Sequence, residues 1–241
     1  MIKKLKNLID PLKNKRVDND FRILNDKIQK KGEVIHGKIF PGGPIKSFEK
    51  VGRLQLISLI KIGMLPESKL LDIGCGALRG GYWTIHFLNN DGYCGIEPNK
   101  EMLEMGLETL LEKEERAAKN PRFDHNMEFD FSVFNQKFDF FIARSIWTHT
   151  SRGQMTQMLD SFVENSNPGA SFLTSYLRAD SSHPTYMKDE WIGISHDSKD
   201  AGLAYHSFDW IKSECESRGL TVEELPFDVF RKQIWLLIRK K

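Results

Sequence analysis

The sequence contains little cysteine, almost no net charge and no long apolar segment. Its three cysteines, Cys75, Cys94 and Cys215, lie far apart and in no spacing typical of a metal site, so we expect reduced thiols in a cytoplasmic protein. A net charge of +2 over 241 residues gives no sign of a strongly basic surface for nucleic acid. The most apolar stretch, residues 54–65, is interrupted by polar residues and is too short to span a bilayer.

The basic residues are concentrated at the N-terminus. The first sixteen residues contain six lysines and arginines against one aspartate. Apolar residues recur among them at helical spacing, but Pro11 interrupts the pattern and predicts a helix that is short or begins late. We predict a basic N-terminal arm or helical appendage over residues 1–45, solvated or docked on a domain of residues 46–241. Weak contact between residues 1–16 and a membrane surface is the alternative, which would make the protein peripheral there.

Strands and helices alternate along the rest of the chain. This order predicts an α/β fold, a Rossmann-like doubly wound sheet that is mostly parallel and covered by helices on both faces. Such sheets bind ligands beyond the carboxyl ends of their strands. Residues 178–206 lack periodicity, which predicts a lid, a binding loop or a disordered segment. The predicted strands are 69–73, 92–97, 122–126, 137–143, 170–177, 220–226 and 231–239, and the predicted helices are 46–63, 78–89, 99–117 and two that begin after Ser151 and Ser207.

The segment Leu70–Gly81 carries the strongest functional signal. It begins as a buried strand, passes Asp72 and then turns through Gly74 and Gly76 into a helix. Glycines let a backbone pass close to a ligand that carries a nucleoside, and the aspartate could hold an amino group directly or through water. Arg79 stands where the dinucleotide-binding fingerprint has its third glycine, so the spacing disfavours NAD.

Residues at the ends of the next strands complete a predicted pocket. Glu97 ends the second strand, where a carboxylate can accept hydrogen bonds from both hydroxyls of a ribose. Asn126 or Met127, after the third strand, would lie beside the adenine. Ala143 and Arg144, after the fourth strand, would close the pocket.

Three motifs, Leu70–Gly76, Gly95–Asn99 and Phe138–Ala143, occur in an order that resembles the class I S-adenosylmethionine-dependent methyltransferase family. The resemblance covers roughly residues 50–241. It implies S-adenosylmethionine as the cofactor and a seven-stranded sheet whose last strand is antiparallel. The chain departs from many members at Leu78, where they carry a glycine. The residues predicted to bind the cofactor are Asp72, Gly74, Cys75, Gly76, Glu97, Pro98, Asn126, Met127, Ala143 and Arg144.

His149 is the candidate catalytic residue. It follows the fourth strand and precedes a capped helix, so it should face the methyl group of the cofactor. A sugar hydroxyl has a high pKa and needs a general base, and histidine commonly serves as one at neutral pH. A histidine that only packs or caps is the structural alternative. The residues after the fourth strand contain no pair of acidic side chains in a pattern that would require a metal ion, so we predict no metal site there.

We predict methyl transfer to a small-molecule acceptor, with an oxygen of a sugar or secondary metabolite favoured. The alternatives are a protein or nucleic-acid methyltransferase and a non-catalytic scaffold that binds the cofactor. The near-neutral charge and the turn Ala143–Ile146, which lacks an Asn-Pro-Pro-Tyr-like sequence, speak against nucleic acid.

Overall fold

The computed structural model describes residues 11–193, 202–227 and 232–240, in which a seven-stranded sheet forms the centre. The strands are β1 (Leu70–Ile73), β2 (Tyr93–Ile96), β3 (Arg122–Asp124), β4 (Phe138–Ala143), β5 (Ser166–Tyr176), β6 (Leu220–Leu225) and β7 (Ile234–Lys240). Their order is β3-β2-β1-β4-β5-β7-β6, and β7 runs antiparallel to β5 and β6 while the others are parallel. The predicted doubly wound sheet with an antiparallel last strand is confirmed.

Helices cover both faces of this sheet. They are α1 (Pro11–His36), α2 (Phe48–Lys61), α3 (Gly81–Phe87), α4 (Lys100–Leu110), α5 (Lys113–Lys119), α6 (Arg152–Asn165) and α7 (Phe208–Ser217). Neighbouring residues of β4 point to opposite faces, so Phe141 packs with α6 and α7 whereas Ile142 packs on the side of α1 to α4. The result is two apolar layers with the sheet between them.

Two helix starts were predicted from side-chain caps, and both are confirmed. Ser151 accepts a hydrogen bond from the Gln154 backbone N–H at 3.2 Å, and the Gln154 side chain accepts one from the Ser151 N–H at 2.9 Å. This reciprocal pair is a capping box, which satisfies two N–H groups that the first helical turn leaves without partners. Ser207 caps α7 by accepting a single hydrogen bond from the N–H of Trp210.

Three predicted boundaries were wrong. The helix predicted over 99–117 is two helices, because the chain breaks at Leu111 and Glu112 begins a new capping box with Glu115. The helix predicted from residue 78 begins at Gly81. β5 begins at Ser166 rather than at residue 170, because Pro168, which has no N–H to donate, is accommodated where the register between β4 and β5 shifts.

The N-terminal helix α1 begins at Pro11, whose fixed φ suits a first helical turn. Its buried residues Ile28 and Ile35 pack against the domain. Residues 1–10 and the side chains of residues 11–17 lie outside the described part, so membrane contact through residues 1–16 stays a prediction, as does the division of the chain at residue 46. None of the helices that the structure describes is both long and apolar enough to cross a membrane.

Candidate functional site

A cavity of about 370 Å³ lies beyond the carboxyl ends of β1, β2 and β4. Seven of the predicted site residues line it, namely Asp72, Gly74, Cys75, Gly76, Glu97, Arg144 and His149. A second cavity of about 70 Å³ shares Gly74, Ile146 and Trp191 with the first, and Pro98, Asn126 and Met127 line it. Ala143 lines neither cavity, because it is fully buried in β4. The sheet therefore gathers almost all of the predicted residues at one edge.

The turn after β1 runs close to its surroundings. Gly74 and Gly76 have φ angles of +71° and +54°, which glycine adopts without strain. A Cβ on Gly74 would lie 2.2 Å from Cδ1 of Ile146, so any other residue there would displace the Ile146 side chain. The N–H groups of Gly74 and Cys75 both donate to the carbonyl of Ile96, at 2.8 and 3.1 Å, which ties the turn to β2.

Leu78 takes the place of a glycine in this turn and still adopts a left-handed φ of +57°. That conformation costs a residue with a Cβ roughly 1–2 kcal/mol. The Leu78 side chain is fully buried against Gly81, where an added Cβ would lie 2.8 Å from Cδ2 of Leu78. Apolar burial thus offsets the strain, and the later glycine makes room for the leucine.

Glu97 is a buried carboxylate that is held by two backbone groups. Its Oε2 accepts a hydrogen bond from the Gly76 N–H at 2.9 Å, and its Oε1 accepts one from the Asn99 N–H at 2.9 Å. The side chain of Glu97 therefore joins the glycine turn to the end of β2 and keeps a fixed orientation.

Asp72 is a second buried acid in the cavity. The hydroxyl of Tyr93 donates to its Oδ2 at 2.7 Å. Burial raises the pKa of Asp72 from 3.8 to about 7; the hydrogen bond from Tyr93 opposes this shift and the charge of Glu97 adds to it. Asp72 therefore exchanges a proton near neutral pH. Sequence reasoning missed Tyr93, although Asp72 pairs with Gly95 and places Tyr93, two residues earlier in β2, on the same face.

His149 is oriented by the segment that follows β5. Its Nδ1 lies 2.8 Å from the carbonyl oxygen of Ile192. A carbonyl oxygen only accepts, so Nδ1 must carry the proton, and Nε2 is the basic nitrogen of the neutral ring. The imidazole stacks on Trp191 with ring centroids 5.6 Å apart, and Gly193 packs so closely that a Cβ there would lie 2.6 Å from Nδ1. The segment 191–193 thus fixes the tautomer and the plane of this ring.

Arg144 belongs to a polar network that sequence reasoning missed. It donates to Oε1 of Gln233 at 2.6 Å, and Gln233 donates to the hydroxyl of Ser145 at 2.9 Å. The hydroxyl of Ser175 also donates to Gln233, at 2.8 Å. Gln233 precedes β7, so its place beside β4 and β5 follows from the pairing of β5 with β7 and not from local sequence.

Some cavity residues come from segments in which no individual cofactor-binding or catalytic residue was predicted. Phe40 to Gly43 line it from the segment before α2, and Leu177, Trp191 and Leu203 line it from the long segment after β5. The predicted lid or binding loop over 178–206 therefore contributes side chains to the cavity, although residues 194–201 lie outside the described part. Among the described residues, no group of three or more His, Cys, Asp and Glu could hold a metal ion.

The comparison with known families agrees with this arrangement. Residues 47–225 match a family model described as a methyltransferase domain. The chain belongs to the class I S-adenosylmethionine-dependent methyltransferases. The resemblance found in the three sequence motifs is confirmed over most of the chain.

Solved structures show the same methyltransferase fold. The magnesium protoporphyrin IX methyltransferase from Synechocystis PCC 6803, solved with S-adenosylhomocysteine, is 13% identical with a TM-score of 0.59, covering 91% of this chain and 99% of that chain. The glycopeptide N-methyltransferase MtfA, solved with S-adenosylmethionine, is 14% identical with a TM-score of 0.59, covering 78% and 93%. At these identities the likeness shows the fold alone. No curated protein sequence matches this methyltransferase significantly.

The residues of the cavity fit the cofactor that the methyltransferase family implies. The volume of about 370 Å³ lies within the usual range for small-ligand sites. The turn at Gly74–Gly76 allows close approach, and the carboxylates of Asp72 and Glu97 suit an ammonium group and a ribose diol. The smaller cavity, lined by Ile96, Phe129 and Met127, offers the apolar walls that a planar base requires.

Proposed function

We propose that this chain methylates an oxygen of a small-molecule acceptor, such as a sugar or secondary metabolite, with His149 as the general base. The observation that carries the proposal is the 2.8 Å contact between Nδ1 of His149 and the carbonyl of Ile192, in a residue that lines the cavity. This contact leaves Nε2 as the ring atom that takes up a proton from the acceptor. A nitrogen acceptor needs little more than the loss of a proton, whereas a sugar hydroxyl has a high pKa and needs a general base. An ordered base therefore favours an oxygen acceptor.

Each part of the cavity has a proposed role. Asp72 would hold the amino group of the cofactor, Glu97 would accept from both ribose hydroxyls, and Gly74, Cys75 and Gly76 would border its methionine end. Pro98, Asn126 and Met127 would border the adenine. Ala143 ends β4 and Arg144 follows it, but only Arg144 lines the cavity, so we give Ala143 a supporting place behind it.

The chemistry divides between cofactor and protein. When bound, S-adenosylmethionine supplies a methyl group on a positively charged sulfur, ready for in-line displacement. The protein aligns the acceptor oxygen, excludes water and removes the proton from that oxygen. His149 would take the proton at Nε2, and the carbonyl of Ile192 would then stabilise the charged ring through its Nδ1–H.

Turnover with added acceptors tests this function. We expect the purified chain to bind S-adenosylmethionine and S-adenosylhomocysteine in calorimetry and to release S-adenosylhomocysteine with at least one hydroxylated small acceptor. Amine acceptors, peptides and DNA are the comparison panels. Turnover confined to an amine, a peptide or DNA would replace the oxygen assignment, and binding without turnover in any panel would favour the scaffold alternative. Absence of binding to both cofactor forms would overturn the proposal as a whole.

The raised pKa of Asp72 gives a pH prediction for cofactor binding. A proton on Asp72 competes with the ammonium group of the ligand, so affinity for S-adenosylhomocysteine should rise with pH up to about 7 and then level off. The expected gain between pH 6 and pH 8 is roughly tenfold. The stability of the unliganded protein should fall as the pH rises from 3.8 to about 7, because over this range the folded state keeps a proton on Asp72 that the unfolded state loses.

Calorimetry across this pH range is the measurement, with Asp72→Asn as the matched control. The amide cannot ionise, so the variant should bind more weakly at pH 8 and show a flat profile. A wild-type profile that is equally flat would remove Asp72 as the partner of the amino group.

A further inference from the structure

The segment before α2 forms one wall of the cavity. Phe40, Pro41, Gly42 and Gly43 are consecutive lining residues. We call residues 40–47 the strap. All but its last residue precede position 47, where the family match begins. A wall of the site therefore comes from a part of the chain outside the shared methyltransferase domain, and this wall must be held in place by contacts of its own.

Arg79, in the turn after β1, makes those contacts. Its Nη1 donates to the carbonyl of Gly43 at 3.2 Å, and its Nη2 donates to those of Pro44 and Ser47 at 2.7 and 2.9 Å. Its Nε donates to the carbonyl of Phe48 at 2.9 Å, and the guanidinium lies 5.0 Å from the ring of Phe48. Four carbonyls in one short segment thus accept from a single side chain.

The burial of Arg79 makes this arrangement mutually dependent. The residue is 9% exposed, and a guanidinium in that setting needs acceptors for its N–H groups. The strap supplies three of them, and its Pro44 carbonyl, which already accepts from the N–H of Ser47 at 3.3 Å, gains a second donor. Loss of the guanidinium would remove three hydrogen bonds that hold the strap, so the strap would be free to move outward.

Helices α1 and α2 hold the strap from the other side. The Gln29 side chain of α1 donates to the carbonyl of Ile45 at 2.8 Å and accepts from the N–H of Glu49 at 3.2 Å. Helix α2 approaches the turn so closely that a Cβ on Gly52 would lie 2.1 Å from the carbonyl oxygen of Arg79. The strap is therefore fixed between α1 and the turn that follows β1.

We infer that Arg79 is a positioning residue, which closes the cofactor cavity by holding the strap over it. This inference rests on the proposed function, because it takes the cavity to be the site of S-adenosylmethionine. It also gives a reason for an arginine in a turn where a nucleotide-binding motif would have glycine: Arg79 lines the cavity, and its guanidinium reaches into the strap. Water is excluded on this side only while the strap is in place.

Hydrogen exchange combined with calorimetry tests the inference. In the wild type, S-adenosylhomocysteine should slow amide exchange in the strap. Arg79→Met should accelerate exchange in the strap without ligand and weaken binding of S-adenosylhomocysteine by roughly tenfold or more. Arg79→Lys keeps the charge but lacks the planar fork of the guanidinium, so its strap exchange and its affinity should lie between those of the wild type and Arg79→Met. Arg218→Met is the matched control, because that arginine pairs with Asp160 and Glu214 away from the cavity and should change neither readout.

The outcomes separate a positioning role from a merely structural one. If Arg79→Met lowers thermal stability but binds S-adenosylhomocysteine as the wild type does, the inference is wrong. If that variant does not fold, two measurements decide instead. They are the effect of the ligand on strap exchange in the wild type, and ligand binding by Gln29→Ala, which loosens the strap from the α1 side. A strap whose exchange is unchanged by ligand would overturn the inference. If the wild type binds no ligand, the proposed function fails, and faster strap exchange in the unliganded variant would still show that Arg79 holds this segment.

Discussion

Replacing His149 with alanine is expected to lower kcat by about a hundredfold or more while leaving the affinity for S-adenosylhomocysteine within about twofold. General base catalysis by one positioned side chain typically contributes 10²–10⁴ to a rate, which sets the scale. The backbone contacts of the residue survive the change, because the N–H of Ile192 donates to the His149 carbonyl and not to the ring. Steady-state kinetics and calorimetry on the same preparation measure the two quantities.

Alanine also removes the stacking partner of Trp191, so a second variant is needed to isolate the base. His149→Gln keeps an N–H that can donate to the carbonyl of Ile192 but has no basic atom. We expect it to be as slow as the alanine variant. His86→Ala is the matched control, because the Nδ1 of His86 likewise contacts a backbone carbonyl, that of Tyr82, and the residue lies outside the cavity lining.

The pH profile distinguishes a base from a residue that only orients the acceptor. Protonation of Nε2 abolishes its function, so wild-type kcat should fall at acid pH, and this limb should be absent from the slow His149→Gln profile. A variant that is slow but keeps the acidic limb would transfer the role of base to another group. Full activity in either variant would exclude His149 from the chemistry.

The predicted residues that the structure brings to one edge of the sheet share one property: their sequence signals are local. The glycine turn follows β1 directly, Glu97 ends β2, and the ends of parallel strands meet at one edge by the topology of the fold. The capping box at Ser151 and the N-cap at Ser207 were equally local. For such residues the chain order and the strand pattern were sufficient.

The residues that were missed depend on long-range pairing. Gln233 reaches Arg144 only because β7 inserts between β5 and β6, which sequence order alone does not specify. The strap is held at the cavity by contacts such as those of Arg79 with carbonyls about 35 residues away, and no pattern of side chains marks a carbonyl. The helix start at 78 failed for a related reason, since a leucine in a left-handed conformation is stable only when its tertiary neighbours bury it.

Loss of the Glu97 carboxylate is expected to weaken binding of S-adenosylhomocysteine by roughly a hundredfold. If the side chain accepts from both ribose hydroxyls, two charge-assisted hydrogen bonds are lost, each worth about 1.5–3 kcal/mol, and about 3 kcal/mol corresponds to this change in Kd. Glu97→Ala also releases the N–H groups of Gly76 and Asn99, so part of the loss would come from the turn itself. Calorimetry on the variant alone therefore overstates the ribose contribution.

A double-mutant cycle with a changed ligand isolates the ribose contribution. The 2′-deoxy analogue of S-adenosylhomocysteine should bind the wild type at least tenfold more weakly than the parent compound, whereas Glu97→Ala should discriminate between the two much less. Damage to the turn affects both ligands equally and cancels. Asn99→Ala is the matched control: it removes the cap of α4, where Asn99 accepts from the N–H of Met102, but keeps the carboxylate and should keep the discrimination. Equal discrimination by the wild type and Glu97→Ala would mean that the ribose is held elsewhere and that Glu97 serves only to join the glycine turn to β2.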